Sequence, residues 1–191
     1  MKRFFLTAAL VISGSIPSGA YASTWLRMGG PASKPVGHYE YCKSHRSDCR
    51  AHGGAGRLAS SRMGVLRSVN LRVNRSVKSM SDWDHYGKRE VWRLPVNKAG
   101  DCEDYVLEKR AELMRRGYSA SDLLIAVGRR HGEPHAVLVV RTDKGDFVLD
   151  NMTDAVLPAA KTSVRISKIQ SPENSAEWLR VTGLTKKVAG L

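Results

Sequence analysis

Three residues with complementary chemistry occur in the order Cys102, His135, Asp150. A cysteine nucleophile must ionise, a histidine can exchange its proton, and a carboxylate can orient that histidine. Cys102 lies in "KAGDCEDYVLEKRAEL", residues 98 to 113, where a helix begins. The unpaired N–H groups and the dipole of a helix start favour a thiolate. Asp101, Glu103 and Asp104 crowd the same point and oppose it. The Cys102 backbone N–H is a natural donor to an oxyanion. The indole N–H of Trp92, ten residues earlier, is a candidate second donor.

The elements that must position these residues are partly legible. A helix is expected from about Asp101 to Arg116, with Asp101 as its cap and Asp104 in the reciprocal position. Gly117 would end it, and Arg115 and Arg116 suit its negative end. Its apolar residues, Tyr105, Val106, Leu107, Ala111, Leu113 and Met114, spread beyond one stripe, as in a helix buried on several sides. Upstream, Leu66, Val69, Val73, Val77 and Met80 recur at three or four residues and mark one apolar helical face. Between the two helices, "SDWDHYGKREVWRLP" reads as an aromatic-rich connection. Strands follow: "LLIAVGR", then "HAVLVVRT" and "DFVLDN" flanking "DKG" as a hairpin, then "SVRISKI". "PENSAEWLRV" reads as a closing helix or turn. Helices before an antiparallel sheet give an α+β order. With the hairpin turn centred on Lys144 and Gly145, Asp150 falls opposite Val139, four residues or about 13 Å along the strand from His135. A bulge or a shifted register must close that distance.

The chain's start bounds its compartment. "MKRFFLTAALVISGSIPSGAYAS" has Lys2 and Arg3, an apolar run too short to span a bilayer, and the small-residue site Ala20-Tyr21-Ala22. Residues 1–22 therefore read as a secretory signal peptide, and the protein as periplasmic with no transmembrane segment after cleavage. Losing Lys2 and Arg3 lowers the formal charge from +13 to +11. A basic exported protein meets acidic partners readily. No nucleic-acid motif appears, and nucleic acid is not expected as a partner. Residues 23–62, rich in Gly, Ser, Pro and Ala, read as a loop-dominated arm before a main domain at 63–191. The arm holds Cys42 and Cys49, two of the three cysteines. A close pair in an oxidising compartment reads as a disulfide. His38, His45 and His52 interleave with it and make zinc the alternative, although their spacing is irregular for zinc. Cys102 is left over, either buried and inert or free and reactive.

"GDCEDYVLEKRAELMRRGY", "HAVLVV" and "GDFVLDN", with "DHYGKREVWRLP" upstream, resemble the bacterial transglutaminase-like cysteine proteinases over roughly Gly37 to Pro158. The resemblance implies a papain-like α+β fold with N-terminal helices on an antiparallel sheet. It implies Cys102 as nucleophile, His135 as base and Asp150 as orienter. It also implies calcium beside the active site, with Asp101 and Glu103 as ligands and Asp104 as a further candidate. The opening conflict is then resolved, because a bound cation inverts the local pKa logic. The implied substrate is a protein, such as a large surface adhesin cleaved near small residues. The implied regulator is an inner-membrane receptor that sequesters the protease. Two other functions use the same residues: transglutaminase-type acyl transfer to an amine, and a non-enzymatic calcium-dependent binding module with Cys102 merely buried.

Overall fold

Strand-forming residues fill the second half of the chain, and they build one sheet. The computed structural model describes residues 23–52 and 62–186. The expected signal peptide, 1–22, and residues 53–61 of the glycine-rich stretch lie outside the described residues. The strands are β1 (Thr24–Pro31), β2 (Lys78–Ser79), β3 (Ala99–Gly100), β4 (Leu123–Arg130), β5 (Glu133–Thr142), β6 (Gly145–Leu149), β7 (Leu157–Pro158), β8 (Val164–Gln170) and β9 (Trp178–Lys186). The helices are α1 (Val36–Ser44), α2 (Met63–Ser76), α3 (Asp82–Tyr86) and α4 (Cys102–Arg115). Seven strands form an antiparallel sheet in the order β1-β9-β8-β4-β5-β6-β7, and β2 and β3 make a small parallel pair. The architecture is α+β, as the element order implied.

Strict alternation along the central strands gives the sheet two apolar faces. Leu123 and Ile125 of β4, with Leu138 and Val140 of β5, join a core with Leu66, Val69 and Val73 of α2 and Tyr105, Val106 and Leu113 of α4. Leu124, Ala126, Val137 and Val139 point the other way, into a second core with Val148, Val164 and Ile169. That second core is enclosed because the sheet curls until β1 meets β6. The Leu26 N–H donates to Asp146 Oδ2 at 2.8 Å, and Trp25 Nε1 donates to the Thr142 carbonyl at 3.0 Å. Gly145 is required where they meet: its φ is +120°, and a side chain there would strike the Thr24 carbonyl.

The α4 helix ends as its sequence dictates. Gly117 takes φ +81°, its N–H bonds the Met114 carbonyl, and the Tyr118 N–H bonds the Leu113 carbonyl. That pair of bonds is the Schellman arrangement.

Four local expectations are corrected. Among the described residues of the arm expected to be loop-dominated, 23–52 and 62, the chain contributes β1, which pairs with β9, and α1. The segment 81–95 contains α3, capped by the Ser81 hydroxyl accepting the Asp84 N–H and stopped by Gly87 in the left-handed region. The α2 helix ends at Ser76, so Val77 packs into the core from an extended segment and Met80 lies beyond the helix. The final segment turns through residues 172–177 and then runs as β9, because buried Trp178 and its neighbours complete the sheet.

Candidate active site

Cys102 opens α4 immediately after β3. Asp101 is the residue before the helix, but its side chain makes no capping bond, and the expected reciprocal cap with Asp104 does not form. Asp104 Oδ1 instead accepts the Arg93 N–H at 3.0 Å. The Asp101 carboxylate turns toward Glu103 and toward Asp82, at the start of α3. Ligand oxygens of Asp82, Asp101 and Glu103 all lie within 4.8 Å of one another. Asp82 had no signal in the sequence beyond its type. Only the short α3, unexpected from sequence, carries it to the acids beside Cys102.

These acids are buried and poorly served. Among the described residues, Asp82 Oδ1, Asp101 Oδ1 and Asp104 Oδ2 are buried without a hydrogen-bond partner. Burial, with the charges of Asp101 and Asp82 added, pushes Asp104 up to about 7, against the Arg93 N–H. Burial raises Glu103 and Asp101, and for Asp101 the charges of Glu103 and Asp82 raise it further. Burial also raises Asp82. The Cys102 thiol donates to Glu103 Oε2 at 2.9 Å. Burial drives that thiol far above its ordinary value, the Glu103 and Asp101 carboxylates add to the shift, and the Ala136 backbone N–H opposes it. Clustered, desolvated carboxylate oxygens with open lone pairs are the donor set of a hard divalent cation such as calcium. The residues therefore fit one. The converging trio contains Asp82, whereas Asp104 stands beside it with one oxygen occupied.

The opposite wall is complete. His135 Nε2 lies 2.8 Å from Asp150 Oδ1. An ionised carboxylate can only accept, so Nε2 carries the hydrogen, which leaves Nδ1 as the nitrogen that can exchange a proton. The register explains how the two meet. Thr142 pairs with Gly145 and Leu138 with Leu149, so the turn is Asp143-Lys144. Extended by one residue, that register sets Asp150 opposite Val137, two residues nearer His135 than a turn at Lys144 and Gly145 would give. Diagonal neighbours on one face are within side-chain reach. Asp150 Oδ1 also accepts the Met152 N–H at 3.0 Å, Oδ2 lies 3.8 Å from Arg130 Nε, and the backbone carbonyl accepts from Asn74 Nδ2 at 3.1 Å. Burial opposes ionisation of Asp150. The bonds from His135 and Met152, with the charges of His135 and Lys109, outweigh it and hold the carboxyl below its usual range.

Cys102 and His135 line one cavity of about 440 Å³, together with Trp92, Arg89, Arg129 and Lys168. Trp92 is buried, and its indole donates to Glu90 Oε2 at 3.2 Å. The structure thus places Trp92 at the cavity with its donor directed at Glu90. Cys42 and Cys49 are joined as a disulfide, which leaves Cys102 as the free cysteine of the three. Both sulfurs of the arm are consumed, so the zinc alternative falls. Of the interleaved histidines, His38 stays beside the disulfide, 3.7 and 3.8 Å from its two sulfurs, and accepts from Trp178 Nε1, while His45 stacks on Tyr41 and His52 bonds Ser175.

The family model described as bacterial transglutaminase-like cysteine proteinase matches residues 28–186. The chain belongs to that family. It is a transglutaminase-like cysteine protease. Solved structures of Legionella pneumophila LapG have the same fold. The calcium-bound form is 21% identical with a TM-score of 0.54, covering 70% of this chain and 76% of that one. The EGTA-treated form is 22% identical with a TM-score of 0.50, covering 64% and 70%. A third LapG structure is 24% identical with a TM-score of 0.50, covering 61% and 67%. No curated protein matches the chain.

Proposed function

We propose that this protease is an exported endopeptidase in which Cys102 attacks, His135 exchanges the proton and Asp150 orients His135. The observation that carries the reading is the shared cavity: a free thiol at a helix start and His135, itself paired with Asp150 at 2.8 Å, line the same space. His135 Nδ1 takes the thiol proton, and the sulfur adds to the scissile carbonyl carbon. The Cys102 backbone N–H is placed at the helix start to receive the oxyanion, with the Trp92 indole as second donor once released from Glu90. Imidazolium then protonates the departing amine, leaving a thioester. His135 next removes a proton from water, which attacks the thioester and regenerates the thiol. Asp150 fixes the ring and stabilises its charged form, as the orienting carboxylate of such triads does.

The reading includes calcium. Asp82, Asp101 and Glu103 would hold it, with Asp104 adjacent. A cation there would offset their charge and favour the neighbouring thiolate. Support comes from the unpartnered buried oxygens and from a LapG of the same fold having been solved with calcium bound. The reading takes residues 1–22 as an export signal and the periplasm as the compartment. Among the described residues, no helix is long and apolar enough to cross a membrane. The substrate proposed is a surface protein such as a large adhesin, with an inner-membrane receptor as regulator. Both rest on the family likeness.

The thiol bond to Glu103 is the observation that favours a second reading, a calcium-dependent binding module with an inert cysteine. One experiment separates them. Surface proteins released from cells with the wild-type chain, with Cys102→Ala, and without the chain are compared by mass spectrometry. A fragment released only with the wild type, and reproduced by purified protein in water, supports the peptidase. Release by Cys102→Ala would overturn it. A labelled amine in the purified reaction tests for acyl transfer, because incorporation at a glutamine would replace hydrolysis.

A further inference from the structure

Lys109 lies in the middle of α4 with no accessible surface. Among the described residues, its Nζ has no hydrogen-bond partner, and the Tyr105 ring centre is 5.9 Å away. The position follows from helix geometry. Lys109 is seven residues from Cys102, two turns along the same face. The charges acting on Lys109 are Asp150 and Asp154, in the segment leaving β6, and Lys109 acts on Asp150 in return. That segment is fixed from α2: Asn74 Nδ2 donates to the Asp150 and Thr153 carbonyls, and Asn70 Nδ2 to those of Thr153 and Asp154.

An unpaired buried ammonium destabilises a fold, and an apolar side chain of similar length fills such a site at less cost. Hydrophobic packing gives no reason for a cation there. The charge makes sense through the carboxylates that act on it, Asp150 and Asp154. We propose that Lys109 is a positioning residue for the active site, whose buried ammonium holds the Asp150 carboxylate ionised and aimed at His135. One rigid helix then carries the nucleophile at its start and, two turns on, the group that sets the far end of the His–Asp pair. The proposal rests on the peptidase reading of that site.

The surroundings set the expected pH behaviour. Burial pushes the ammonium down to about 7, against the charges of Asp150 and Asp154. Around it stand Tyr105 on its own helix and Asp150 and Asp154 on the segment after β6. Beyond them lie His135 of β5 and Arg130 of β4 against Asp150, and Arg75 of α2, 3.8 Å from Asp154.

Lys109→Met and Lys109→Arg in the full chain test the inference. Melting temperature, the His135 titration by NMR, and kcat and KM across pH are measured. Lys109→Met should fold, which its melting temperature checks. It should displace the His135 titration, and it should lower kcat by about 10- to 100-fold, as loss of an outer-shell partner does elsewhere, with KM little changed. Lys109→Arg, charged at every working pH, should recover part of kcat and flatten the profile near pH 7. Wild-type kcat and an unmoved His135 titration in Lys109→Met would overturn the proposal. Should Lys109→Met not fold, nitrogen-labelled lysine in the wild type decides: titration steps shared with His135 support the coupling, and independent steps refute it. The NMR readouts need no turnover. If no variant or wild type cleaves a peptide, the peptidase reading fails while the Lys109–Asp150 coupling is still read.

Discussion

The two walls of the cavity differ in how their charges are met. On the β5 side, every polar atom that orients His135 has a partner: Asp150 receives His135, the Met152 N–H and Arg130, and its backbone is held by Asn74. On the α4 side, Asp82, Asp101 and Asp104 each keep a buried oxygen without one, and the thiol hydrogen goes to Glu103. The His–Asp wall is preorganised by the chain alone. The cysteine wall has the donor set of a cation site. On the function proposed above, the base is ready and the nucleophile is conditional.

Several changes would break or sharpen that contrast. The largest effect falls where the walls meet in chemistry: Cys102→Ala and His135→Ala should each lower kcat by about 10⁴-fold or more, with the fold retained. Peptide cleavage rates and circular dichroism check this, and persistent cleavage by purified Cys102→Ala would remove the mechanism. Next come the acids. Glu103→Gln and Asp82→Asn should abolish the activating response to calcium, whereas Asp104→Asn, whose carboxylate lies beside the trio, should weaken it less. Isothermal titration with calcium measures each, and an unchanged affinity in Asp82→Asn would exclude that residue as a ligand.

The walls should also respond oppositely to pH. Asp104 is raised to about 7, so without metal its folded form binds a proton that the unfolded chain has released. Its contribution is complete below the ordinary carboxylate range and is lost as pH rises through about 7. Asp150 is depressed, so its contribution is present above the ordinary range and is lost as pH falls below it. Chelator-treated protein should therefore melt higher as pH drops from about 8 toward 5 and lower again in stronger acid. Calcium should flatten the first limb only. A melting temperature indifferent to calcium at pH 8 would contradict the contrast. The smallest effect lies away from both walls: Gly117→Ala should cost about 1 kcal/mol by denaturant melts, because alanine resists the left-handed region that ends α4.

What was legible in the sequence follows from how local each determinant is. The α4 boundaries were readable because Gly117 and the apolar residues after Cys102 carry their own instructions, and β4, β5 and β6 because alternation and a short turn do. The seat of β1 was not, since Thr24–Pro31 becomes a strand only by pairing with β9, more than 150 residues later. Trp178 looked like part of a closing helix or turn for the same reason. At the site, Cys102, His135 and Asp150 stood out by type and order, but the distance between the last two hung on a turn placed one residue earlier than assumed. The capping role expected of Asp101 gave way to tertiary contacts, because its carboxylate converges on Glu103 and on Asp82, a residue no spacing rule would pair with it. Lys109 was hidden by its type, since a lysine on a helix ordinarily faces water.

On the function proposed above, the cysteine wall is conditional on a cation, and the thiol is the nucleophile it releases. The most direct measurement is the rate of Cys102 alkylation by iodoacetamide against pH, on chelated protein and on the same protein with calcium restored. The disulfide leaves Cys102 as the free thiol to react. Labelling should be slow without calcium until strongly alkaline pH, and the profile should move to lower pH when calcium is added, with the move lost in Glu103→Gln. Identical profiles with and without calcium, in protein shown by calorimetry to bind it, would mean that the cation does not control the thiol.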